Sequence, residues 1–143
     1  MSEPIAGFHM RREIVEELAD RHVLALDTIA HVAPEHEGHV IATGSHGGIS
    51  SGEYAGRVAI AAVFFNDAGV GKDEAGIAGL AYLDSRGIAA GAVSHDSAII
   101  GDGLETWQCG TISSLNQTAR DAGFAPGEPL RQAVLRVYGG ERA

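Results

Sequence analysis

The chain has 143 residues, 45% hydrophobic and 20% charged, enough for one domain with its own core and too apolar for a disordered segment. A formal charge of −9, with no local Lys/Arg cluster to reverse it, repels phosphate backbones and excludes nucleic acid as the expected partner. The single cysteine, Cys109, rules out an intrachain disulfide and a four-cysteine zinc framework, and fits a reducing compartment.

The stretch up to Glu13 contains Pro4, His9, Arg11 and Arg12 but no continuous apolar core of a secretory signal. No later run approaches the roughly 20 apolar residues that cross a bilayer. The expectation is a cytoplasmic protein with no membrane partner, built as a single α/β domain over residues 1–143.

Arg11 to Arg21 puts Ile14, Val15, Leu18 and Ala19 on one side and Glu13, Glu16, Glu17 and Asp20 on the other, which predicts a helix. Val23 to Ile29 predicts a first strand, with continuation of the helix as the alternative. His39 to Thr43 predicts a short strand running into Gly44-Ser45-His46-Gly47-Gly48, where glycines turn the chain. Ser50 and Glu53 have capping-box spacing and predict a helix from about Ser51 to Arg57. Ala59 to Phe65 is continuously apolar, the mark of a strand covered on both faces.

A polar turn over Asn66 to Asp73 precedes a predicted helix from Glu74 to Ser85, stopped by Gly87, and then a strand over Ile88 to Val93. Ser94 to Gly103 reads as a second long polar loop, because two glycines argue against regular structure there. Thr111 to Ala122 and Pro129 to Tyr138 read as two closing helices. This βαβ alternation predicts a Rossmann-like three-layer sandwich with a small, mostly parallel sheet of about four strands.

In open parallel sheets ligands bind beyond the carboxyl ends of the strands, where helix N-termini converge. Three such exits carry His46, Asn66, Asp67, Lys72, Asp73, His95, Asp96, Ser97 and Asp102 beside many glycines. His46 and His95 are the candidate proton-transfer groups, and Asp67 the residue that orients or polarises. The partner of His95 is expected to be Asp67 or His46 rather than the adjacent Asp96, whose side chain diverges along the strand. The N–H groups of Gly44, Ser45, Gly47 and Gly48 would hold developing negative charge. Asn66, Lys72, Asp96 and Ser97 would bind substrate. The plainer reading is that Asp, Asn and Ser simply start helices and turns here.

Gly44-Ser45-His46-Gly47 resembles the G-x-x-G nucleotide loop of universal stress proteins over those few residues. That family places the loop before a last strand and helix, whereas much of this chain follows it, so no family is assigned. Asn66 to Asp73 sits like a phosphate loop, but Asn66 replaces the first glycine and Asp73 the hydroxyl residue, so a Walker site is not expected.

Cys109, ahead of the helix expected near Thr111, would gain thiolate character from the helix dipole and act as a nucleophile, with Trp107 walling a pocket. Its plainer reading is inert packing. His31, Glu35, His36, Glu37 and His39 cluster around Pro34, with Asp27 and His46 as possible further metal ligands, but a solvated His/Glu loop is the commoner case and no metal is assigned.

The function expected is that of an isomerase, lyase or hydrolase using acid/base chemistry on a carboxylate- or amide-bearing small-molecule substrate, without a cofactor. The alternatives are a non-catalytic nucleotide- or metabolite-binding module and a homo-oligomeric structural subunit. A homo-oligomer is expected in either case.

Overall fold

The computed structural model describes residues 10–139; the earlier part of the stretch read for a signal lies outside them. Six strands form one sheet: β1 (Arg12–Glu17), β2 (His22–Leu26), β3 (Val40–His46), β4 (Ala62–Asn66), β5 (Ala89–Val93) and β6 (Ile112–Leu115). Each strand lies beside its sequence neighbour. The four inner strands are parallel, and β1 and β6 run antiparallel at the two edges. Five α-helices accompany them: α1 (Ile49–Ala55), α2 (Gly79–Ser85), α3 (Gly103–Cys109), α4 (Gln117–Ala122) and α5 (Leu130–Tyr138). Among the described residues no helix is long and apolar enough to cross a membrane.

Alternation along the strands feeds two apolar clusters. Val40, Ala42, Ala62 and Phe64 join Trp107, Ala119, Leu130 and Val134 in one. Ile41, Val63 and Phe65 join Ala55, Leu80 and Leu83 in the other. Strands that supply both clusters must be apolar at every position, which is why β4 reads as an unbroken run.

The sheet has six strands rather than about four, because both edge strands arise from segments with helical spacing. Residues 12–17 form β1, with Arg12 opposite Leu26 and Glu17 opposite His22, and a bulge between Ile14 and Glu16. The Leu18 N–H donates to the Arg21 carbonyl at 2.7 Å and closes the turn into β2. Val23, Ala25 and Leu26 are fully buried, so the outer N–H and C=O groups of β2 need partners that a strand supplies. The segment read as a helix from Thr111 is split into β6 and α4. Asn116 makes the break by accepting the Ala119 N–H as the N-cap of α4. Asp102 caps α3 in the same way through the Glu105 N–H, so the expected loop gives way to a helix at its last residue, Gly103.

Ser50 does not cap α1; the helix starts at Ile49, and its N-cap is Gly48 with no side-chain bond. Glycines there serve close packing. A Cβ on Gly52 would stand 2.9 Å from the Gly79 carbonyl oxygen, and one on Gly79 would collide with the Gly48 carbonyl. The Gly79 N–H donates to the Gly47 carbonyl at 2.8 Å, which fixes that approach. Gly79→Ala is therefore expected to destabilise the fold by about 2–3 kcal/mol and lower Tm by roughly 6–12 °C in calorimetry. An unchanged Tm would refute this account of the α1–α2 contact.

Candidate functional site

The parallel pairing of β2 to β5 brings four strand exits to one edge. His46 stands beside Asn66 in the register, and Asn66 beside Val93. At about 4.8 Å per strand step, the backbone at His46 lies about 10 Å from that at Val93. The strand order never reverses, so no crevice arises from helices diverging at a switch point. A loop shapes the rim instead.

Residues 94–102 arch back from β5 across the exits. Asn66 donates its side-chain amide to the Ala98 carbonyl at 2.9 Å, Gly101 donates its N–H to the Gly44 carbonyl at 2.7 Å, and Gly103 donates to Asp27 Oδ1 at 2.8 Å. Gly44 is a glycine because a Cβ there would collide with the backbone of Gly101 and Asp102. Asp27 also accepts the Arg11 N–H at 2.7 Å, which ties the start of β1, β2 and α3 together.

Asp67 is the most heavily engaged polar group on this edge. It is 5% exposed, and its Oδ1 accepts the N–H of Gly69 at 2.8 Å and of His95 at 3.0 Å. Its Oδ2 accepts the Ser113 hydroxyl at 2.7 Å. His95 Nδ1 lies 3.5 Å from Asp67 Oδ1, closer than the 4.0 Å to Asp96, so the neighbouring-loop carboxylate is the nearer partner. Ser113 had no signal in a segment read as helix. As part of a strand antiparallel to β5 it comes to the rim.

The loop that carries Asp67 is strained. Ala68, Gly69 and Val70 follow one another at φ of +52°, +77° and +66°. For the β-branched Val70 this costs about 1–2 kcal/mol, and such strain collects at sites where backbone placement matters. Lys72 lies exposed further along the loop, with no ion-pair partner among the described residues.

His46 is exposed, and its Nδ1 accepts the Gly48 N–H at 3.1 Å, so the neutral ring carries its proton on Nε2. It lines a cavity of about 350 Å³ with Thr28, Ser45, Ser51 and Ile100; neither Asp67 nor His95 lines that cavity. The two histidines thus share a rim, but the hollow around His46 is not shared with His95.

Three of the four glycine-loop amides are engaged within the protein and not free to form an anion hole. The Ser45 N–H donates to Thr43 Oγ1, the Gly47 N–H to the Asn66 carbonyl and the Gly48 N–H to His46. The Ser45 hydroxyl accepts the Ile29 N–H at 3.0 Å. Ser97 is structural as well, donating its hydroxyl to the Ser94 carbonyl and accepting the Thr111 N–H.

Cys109 is exposed and ends α3, so it closes one helix rather than standing ahead of another, and the helix start expected beside it is absent among the described residues. Trp107, 2% exposed, packs in the core.

The cluster around Pro34 forms the wall of a second cavity, but among the described residues no group of three His, Cys, Asp or Glu stands close enough to hold a metal ion. Burial holds the His36 imidazole below its ordinary range; Glu35 opposes this, while His39 and Arg12 add to it. Burial likewise lowers His39, helped by His22 and Arg21. The folded state therefore binds fewer protons than the unfolded chain, and stability present above the unfolded value near 6.5 is lost as pH falls through the folded values. Tm is expected to drop by roughly a few °C from pH 7 to 5.5. The His36→Asn/His39→Asn double variant should flatten the drop, and an equally steep profile would contradict this assignment.

Compared with protein-family models, curated proteins and solved structures, the chain matches none.

Proposed function

We propose that this chain is a small-molecule enzyme that moves a proton on a carboxylate- or amide-bearing metabolite, as an isomerase, lyase or hydrolase, with His95 as the acid/base. The supporting observation is the clamped carboxylate of Asp67. Its three hydrogen bonds hold Oδ1 3.5 Å from His95 Nδ1, and an imidazole that closed this gap to a hydrogen bond would keep its proton on that nitrogen. Nε2 then carries the lone pair that accepts a substrate proton and later returns it. Lys72, on the same edge, would draw a substrate carboxylate, and His46, whose hollow is separate, takes no part in this reading. The two apolar clusters fit the two interfaces of a Rossmann-like three-layer sandwich, a frame that places loops at one edge of a sheet.

The test is to incubate the protein in deuterium oxide with a panel of small carboxylates and amides and to follow deuterium incorporation and product formation by proton NMR. At least one compound should exchange or turn over. Absence of any exchange or turnover across the panel, with the protein folded, would count against the enzyme reading and favour a non-catalytic binding module.

A further inference from the structure

A cavity of about 530 Å³ lies away from the rim. It lies against β1 and β2 and is lined by Arg12, His22, His31, Glu35, His36 and His39 among others. His22 opens β2 and His39 precedes β3, so these two rings sit at the starts of the parallel strands, the edge opposite His46 and His95.

Two of the imidazoles have a fixed hydrogen-bonding sense. His36 Nδ1 accepts the Ala33 N–H at 3.0 Å, and His39 Nδ1 accepts the His22 N–H at 3.0 Å. A neutral ring whose Nδ1 lone pair is engaged carries its proton on Nε2, so each presents an N–H donor and no lone pair for a metal. Arg12 adds a guanidinium with no ion-pair partner among the described residues, near enough to His36 to act on its charge. His22 and His31 each keep a buried Nδ1 without a hydrogen-bond partner, so the cluster is not closed on itself.

The His36 N–H donor and the planar Arg12 guanidinium on one cavity complement a carboxylate. Glu35, on the same wall, opposes a more highly charged anion, while the Arg11 side chain, shared between Glu13 at 3.4 Å and Asp102 at 3.3 Å, offsets part of that second carboxylate. Ile14 and Leu24 complete the lining with apolar surface. We infer that this cavity is a binding site for a small monocarboxylate with a short apolar stem, separate from the rim and independent of the proton-transfer reading.

Butyrate is the probe, titrated into the isotope-labelled protein near pH 7 and followed by NMR, with phosphate and zinc titrated separately. Butyrate should bind saturably and shift the resonances of His36 and His39. Arg12→Gln, an exposed strand position, should weaken it about tenfold or more, and His95→Gln should leave it unchanged. His36→Asn provides a second variant and should also weaken butyrate, with circular dichroism confirming the fold. Any of three results would overturn the proposal: no saturable shift with butyrate, binding unaffected by both cavity variants, or phosphate or zinc binding more tightly there than butyrate.

Discussion

Replacing His95 with glutamine is expected to lower the rate of proton transfer by about 10²- to 10⁴-fold while leaving the fold intact. The His95 side chain is 59% exposed and its nearest charged partners are Asp67 and Asp96, so removing the ring empties no core space. The bond that organises the loop comes from the His95 backbone N–H, which the variant keeps. Tm should therefore stay within about 1 °C of the parent, since exposed substitutions rarely exceed 0.5 kcal/mol. Asp67→Asn should act in the same direction with a smaller loss, because an amide can still accept from one side but carries no charge to stabilise an imidazolium. Rates measured by deuterium incorporation decide the matter. Parent-like exchange in His95→Gln would remove His95 from the chemistry, and a large fall in Tm would assign it to structure instead.

The second large effect is on stability. Asn116→Ala is expected to cost about 3–5 kcal/mol, a large part of the total stability of a domain this size. Asn116 is 7% exposed and uses its whole amide. Oδ1 accepts the N–H of Ala90 at 3.1 Å and of Ala119 at 2.9 Å, and Nδ2 donates to the carbonyls of Leu80 at 3.1 Å and Ile88 at 3.0 Å. One side chain thereby joins α2, β5 and α4, and truncation removes a partner from two buried N–H groups and two buried carbonyls. Asn116→Asp should be nearly as damaging, since it turns the donating edge into an oxygen facing two carbonyls. Urea unfolding measures both. An Ala variant within 1 kcal/mol of the parent would show that water or a small shift replaces these bonds.

Much of the inner frame was legible in the residues. The apolar runs ending at Thr43, Phe65 and Val93 mark three of the four parallel strands, and the chemistry-bearing loops follow from their exits. The edges were not legible, because Arg11 to Arg21 has helical spacing that strand pairing with β2 overrides. For α3 a signal existed: Asp102 and Glu105 have the spacing of a cap, which was outweighed by the glycines on either side of Asp102. Because α3 ends at Cys109, that residue closes a helix instead of preceding one.

Within the site, the Asp67–His95 approach could be anticipated from two polar residues leaving adjacent parallel strands. The role of Ser113 could not, since it depends on β6. Nor could the crossing of residues 94–102, which turns Gly44 and Ser97 from candidate ligands into packing and hydrogen-bonding elements. Hydrogen bonds between loops distant in sequence leave no periodic trace, so single-residue reasoning finds the chemistry-bearing types but not their partners.

A long-range proton–nitrogen NMR spectrum of the histidine rings, recorded at a pH where they are neutral, tests the arrangement without any substrate. His95 should carry its proton on Nδ1, toward Asp67, whereas His46 should show the opposite tautomer because its Nδ1 accepts the Gly48 N–H. A proton on Nε2 of His95 would mean that Asp67 does not orient the ring, and the proton-transfer site would lose its base.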